Sequence, residues 1–176
     1  MKTTVAGQLW PYEGIEPKLG ARVFIAPGAQ VIGDVVIGDD SSVWYNCVIR
    51  GDVNNVIIGQ RTNIQDGTVI HVSSVSQGTY IGDDITIGHM ALLHACTVES
   101  GAFIGMKACV MDDAFVESGG MVAAGALVAP GKRVKSWELW AGVPARPIRG
   151  LSEEEKKYLL HSPKHYVGLA AKYLHK

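Results

Sequence analysis

The feature that most constrains this chain is a six-residue period. Aliphatic residues stand six apart at Ile25, Val31, Ile37, Val43 and Ile49. After a slip the period resumes at Ile58, Ile64 and Ile70, and after a second slip at Ile81, Ile87 and Leu93. A one-residue contraction then leads into an unbroken run at Val98, Ile104, Val110, Val116, Val122, Val128 and Val134. Small residues recur four positions after these lead residues, at Ala29, Ser41, Cys47, Thr62, Thr68, Ala91, Thr97, Ala102, Ala108, Ala114, Gly120 and Ala126. Glycine follows the lead directly at Gly38, Gly59, Gly82, Gly88 and Gly105. A short strand with one inward aliphatic, a small inward neighbour and a glycine-tolerant corner can be stacked indefinitely. Three such strands close one triangular coil, and coils stacked at about 4.8 Å give six coils in a prism roughly 29 Å long. A βαβ fold would need helical patterns between the strands, and none occurs before Leu151. The expected class is therefore mainly β: a parallel β-helix over residues 1–150 with a short N-terminal extension, then a helical tail over 151–176 packing on it.

In that tail, Ser152 and Glu155 form a capping box that opens a helix through about Leu160. Ser162-Pro163 predicts a second helix start, and Tyr166, Leu169, Ala170, Tyr173 and Leu174 give it an apolar face. The segment from Ala141 to Ala145 breaks the repeat and ends the solenoid. Composition agrees, with 47% hydrophobic residues, only 7% aromatics and 21 glycines: enough apolar surface for a core, in small pieces. A net charge of −1 leaves no electrostatic footprint for nucleic acid or an anionic membrane surface. No run approaches the roughly 20 apolar residues of a membrane span. Met1 to Trp10 shows no secretory signal, so a cytoplasmic location is expected. Cys47, Cys96 and Cys109 are odd in number and lack CxxC spacing, which predicts buried reduced thiols.

The repeat also places the histidines. Residues three hexads apart at one offset stack vertically, so His71, after Ile70, and His94, after Leu93, lie one coil apart on one face. Two imidazoles stacked in this way can share a metal at a Zn–N distance of about 2.0–2.1 Å. His89 lies two positions after Ile87 and falls on a different face, so it does not easily reach that metal within one prism. A neighbour related by a threefold axis could present its own His89 there, giving three histidines with an open fourth position, the ligand set of a hydrolytic zinc site. Arg50 sits one coil below His71, with Asp52 two residues on. Asp66 sits one coil below His89 and Tyr45 one coil below that, while Asn63 and Gln65 flank Ile64. Arg50 and Asp52 read equally well as an ion pair holding an interface.

The six-residue pattern over about residues 20–149 resembles the hexapeptide-repeat superfamily, and that resemblance implies a left-handed coil and trimeric assembly. A closer resemblance lies in Val48-Ile49-Arg50-Gly51-Asp52, in Asn63-Ile64-Gln65-Asp66-Gly67 and in the run from Gly88 to Cys96, with His71 between the last two. These resemble the γ-class carbonic anhydrases, which hydrate CO2 reversibly to bicarbonate. The resemblance implies that His71, His89 and His94 bind zinc or iron across a homotrimer interface and that Arg50 and Asp52 pair beside the site. It further implies that Gln65 orients the metal-bound hydroxide, that Asn63 and Asp66 belong to the pocket, and that Tyr166 approaches from the C-terminal helix. The archetypal members carry shuttle glutamates in two loops. Here Val53 follows Asp52, and Val72-Ser73-Ser74-Val75-Ser76-Gln77 holds no carboxylate, so turnover is expected to be low or absent. Two alternatives remain: a hexapeptide acyltransferase using acyl-CoA with one histidine as general base, and a catalytically silent trimer that serves as an assembly module.

Overall fold

A computed structural model describes residues 4–174; the outermost residues of both expected segments, 1–3 and 175–176, lie outside the described residues. The chain winds as a parallel β-solenoid of three faces. One face stacks Thr4–Val5, Phe24–Ile25, Ser42–Val43, Asn63–Ile64, Thr86–Ile87, Phe103–Ile104, Met121–Val122 and Glu138–Gly142 in a single ladder. A second runs through Gln8–Trp10, the first half of Gln30–Ile37, the first half of Val48–Ile58, then Val69–His71, Leu92–His94, Cys109–Val110 and Leu127–Val128. The third takes Lys18–Leu19, the second halves of the two long strands, Thr79–Ile81, Thr97–Val98, Phe115–Val116 and Arg133–Val134.

The solenoid has about seven turns, one more than the hexads predicted. Residues 4–19 form a coil of the ladder, although Trp10, Pro11 and Tyr12 hide the period there. At the other end Glu138–Gly142 adds a rung and turns back antiparallel into Ala145–Gly150, which closes the stack.

Every lead residue from Ile25 to Val134 is at most 3% exposed, so each hexad contributes its lead aliphatic to a continuous core. Full burial of one such side chain stabilises by about 1.5–3 kcal/mol. The small inward positions behave as expected except at the contraction, where Cys96 is buried and Thr97 turns partly outward. The glycines after the leads serve a purpose different from the one the sequence suggests. Gly59 does not have a positive φ; a Cβ there would lie 2.6 Å from the Gly82 carbonyl carbon, so glycine allows the next coil to approach closely. Positive φ at the corners falls instead to residues such as Asp40, Asn46, Arg61, Asp84 and Met90. Cys47 and Cys96 are buried, and burial pushes each thiol up to about 12, whereas Cys109 is only half-buried.

The tail is one helix, α1, Glu153–Leu174, with Pro163 inside it, not two. The capping box is present: Glu155 N–H donates to Ser152 Oγ (3.2 Å) and Ser152 N–H to Glu155 Oε2 (2.8 Å). Ser162 does not cap a second helix. It is buried, sharing a 2.8 Å hydrogen bond with Thr86 Oγ1 on the solenoid. The helix covers the first face, with Tyr166, Leu169, Tyr173 and Leu174 around Phe24, Ala26 and Trp44. Among the described residues no helix is long and apolar enough to cross a membrane.

Candidate metal centre

The second face carries the histidines. Its strands place every second side chain outward, and Val69–His71 pairs with Leu92–His94 so that His71 and His94 stand directly opposite. Their ring centroids are 5.2 Å apart. His89 lies elsewhere, at the corner between the helix-covered face and the histidine face, just before Met90. It is thus a corner residue and not part of a flat face. Among the described residues, no three His, Cys, Asp or Glu side chains of the single chain converge on one point.

Each histidine is held at one ring nitrogen by a carboxylate. His71 Nε2 lies 3.0 Å from Asp52 Oδ1, His94 Nδ1 2.6 Å from Asp112 Oδ1, and His89 Nδ1 2.8 Å from Asp66 Oδ2. A ring that gives its N–H to a carboxylate carries its lone pair on the other nitrogen, which is the support common behind metal-binding histidines. The donor set therefore fits a zinc or iron ion: Nε2 of His89 and His94 and Nδ1 of His71 remain for ligation.

Asp52 also receives the Arg50 guanidinium and the Val53 N–H (2.8 Å). Burial works to raise its pKa, but the hydrogen bonds from His71, Arg50 and Val53 outweigh it and hold the carboxyl at about 2. Asp112 is absent from the residues singled out by sequence, yet it makes the shortest of the three histidine contacts. It stands eighteen residues after His94, but Leu93 pairs with Val110, so the contracted coil puts Met111 in the His94 column and Asp112 one place beyond it.

Asn63 and Gln65 project outward from the helix-covered face, 1% and 5% exposed. Gln65 Nε2 donates to Asn63 Oδ1 (3.1 Å), and Asn63 Nδ2 donates to Thr86 Oγ1 (2.9 Å), the hydroxyl shared with Ser162. This chain links α1 to Gln65 and commits one of its two amide N–H bonds, which leaves Oε1 as an acceptor and the second N–H as a donor. Tyr166 stacks edge-on against Trp44 at 5.6 Å. Burial raises its pKa, and the charge of Asp66 raises it further.

The frame slips gather at the corner beyond His71. There the chain bulges at Gly51 to Asn54 and loops out at Ser73 to Gln77, and it shortens at Ala95. Asn54 Nδ2 donates to the Ser73 carbonyl (3.1 Å) and Gln77 Nε2 to the Ala95 carbonyl (3.0 Å), which ties the three irregular turns together. Val53 and Val75 are exposed on this corner, 49% and 93%.

Residues 16–51 match the family model "Bacterial transferase hexapeptide (six repeats)". The chain is 50% identical over 159 residues to gamma carbonic anhydrase 2 of Arabidopsis thaliana, covering 88% of this chain and 57% of that mitochondrial protein. It is 40% identical over 159 residues to the carbonic anhydrase of Geobacillus kaustophilus, covering 90% of this chain and 87% of the relative. The chain belongs to the γ-carbonic anhydrase-like family of hexapeptide-repeat proteins. Its solenoid is accordingly the left-handed parallel β-helix of that family. A solved hexapeptide transferase family protein from Anaplasma phagocytophilum superposes with a TM-score of 0.90 at 49% identity, over 94% of this chain and 97% of that one. Within the γ-carbonic anhydrase-like family the shared part is thus the whole solenoid, although the chain spans little more than half of the Arabidopsis relative.

Proposed function

We propose that this chain is a metal-dependent carbonic anhydrase that interconverts CO2 and bicarbonate at a zinc centre shared between the subunits of a homotrimer, with iron as the alternative ion for the same nitrogens. The observation that carries this reading is the stacked pair His71 and His94, each held by an aspartate so that one nitrogen is left for a metal. His89, held in the same way at the corner, supplies the third ligand from a neighbour. Apolar residues support the assembly. Val48, Val69, Leu92 and Leu127 project from the histidine face, and Met90 and Met106, 61% and 56% exposed, flank His89. Such a surface is what a partner subunit covers.

A zinc ion held there would supply a Lewis acid that makes water nucleophilic near neutral pH. The residues do the rest. Asp52, Asp66 and Asp112 fix the histidine rings and their tautomers. Gln65 would hold the attacking water in orientation by accepting its hydrogen bond at Oε1. Hydration of CO2 to bicarbonate releases one proton, and no carboxylate at Val53 or in Ser73–Gln77 receives it. External buffer therefore takes it. An acyl-CoA transferase would need one histidine as base and would leave the other two aspartate-held histidines without a role.

Stopped-flow CO2 hydration by zinc-loaded protein tests this reading. We expect modest activity that rises with imidazole-type buffer at fixed pH and ionic strength. Ser74→Glu should raise activity in weak buffer more than in strong buffer, and Gln65→Ala should lower it in both. Zinc-loaded protein with no hydration above background at any buffer concentration would make the centre a structural clasp.

A further inference from the structure

A second pair of histidines lies away from this centre. His161 and His165 are four apart on α1, both exposed, with ring centroids 6.4 Å apart and planes inclined at 37°. Their side chains point to solvent because the opposite side of the helix, Leu159, Ser162, Pro163 and Ala170, is buried against the solenoid. With metal–nitrogen bonds of about 2.0–2.1 Å, each ring centroid stands roughly 3 Å from a bound ion, so centroids 6.4 Å apart lie at the outer limit of sharing one and a small side-chain rotation brings both within reach. Neighbours at i and i+4 share one helical face, which makes such pairs natural bidentate ligands.

The residue between them gives the pair its significance. Pro163 has no N–H, so the Leu159 carbonyl loses its helical partner, and α1 is weakest where His161 and His165 straddle it. We propose that His161 and His165 form a second divalent-cation site, a clip that bridges the proline turn of α1 with two imidazole nitrogens and completes its coordination with water. Its ligand is a borderline first-row dication such as Ni2+, Cu2+ or Zn2+. Lys164 lies between the two histidines in sequence and Lys157 one turn before His161, so their charge opposes the cation and keeps the site weaker than a buried three-histidine centre. The clip would stiffen the segment that carries Ser162 and Tyr166 against the solenoid. Neither ligand is one of the three histidines of that centre, although the His165 ring stands edge-on to Tyr166 at 5.7 Å.

Equilibrium dialysis against Ni2+ of untagged protein carrying no more than one zinc per chain tests it, with His161→Ala, His165→Ala and the double variant alongside. Alanine at exposed helical positions keeps the helix, and far-UV circular dichroism verifies that it does. We expect the wild type to hold one Ni2+ per chain more than the double variant. Each single variant should lose that equivalent. Amide exchange across Leu160 to Val167 should slow on Ni2+ addition in the wild type only. Equal Ni2+ binding by wild type and double variant would overturn the site. Binding that left amide exchange unchanged would overturn the clip.

Discussion

At the residue scale, the aspartates decide what the histidines can do. His94 gives Nδ1 to Asp112 at 2.6 Å, and without that partner its ring is free to rotate and to change tautomer. Asp112→Asn is expected to weaken zinc binding by about 10–100-fold while the protein stays folded, as read by competition with a chelator. His94→Ala should lose the metal almost completely. Asp52 adds a pH dependence. Its folded pKa of about 2 lies below the ordinary carboxylate value near 3.9, so its pairing with His71 and Arg50 stabilises the fold above about pH 4. That contribution disappears as pH falls toward 2. The stability gap between wild type and Asp52→Asn should therefore be constant near neutrality and shrink between about pH 4 and 2, measured by denaturant unfolding at each pH. The sequence singled out His71, His89 and His94 because the six-residue frame assigns each a column, and Asp52 because it follows Arg50 in a run that resembles the family's. Asp112 was out of reach of the frame, because the contracted coil puts Met111 above His94 and leaves Asp112 one place beyond that column. The Gln65–Asn63–Thr86–Ser162 chain was out of reach, since it joins two elements that no period relates.

At the scale of elements, regular hexads make the scaffold and carry His71 and His94, and the failures of the frame shape the corner beside them. The lead aliphatics were legible because each must be buried for its coil to close. The loop after His71 was read directly from the sequence, whereas the turns at Gly51 to Asn54 and at Ala95 appeared only as slips, and all three stack on one corner beside His71 and His94. The first coil was missed because its strands, Gln8–Trp10 and Lys18–Leu19, pair correctly without presenting the period. The tail was misjudged for a different reason. Ser162-Pro163 has the chemistry of a helix start, but packing on Thr86 outweighs that local preference, and α1 runs through. Its true start is Ser152. Replacing the capping hydroxyl, Ser152→Ala, should cost about 1 kcal/mol. The loss should show as faster amide exchange in the first turn of α1, with the exchange of the solenoid core unchanged.

At the scale of the whole molecule, one prism places His71 and His94 on a face and His89 on a corner, and the three do not converge within the chain. A threefold assembly of these prisms should run near three times 18.8 kDa by light scattering. The interface would be heterologous, face against neighbouring corner, and three such contacts close a ring. This arrangement would make each centre the joint property of two chains, and subunit mixing tests it most directly. His89→Ala retains the face and lacks the corner ligand; His94→Ala retains the corner and lacks a face ligand. Each variant alone should form trimers with little zinc and no CO2 hydration. Unfolded, mixed in equal amounts and refolded together, they should regain about a quarter of the wild-type zinc and hydration, because random assembly pairs an intact face with an intact corner at that frequency. Mixed trimers that hold no more zinc than either parent would contradict a centre shared between subunits.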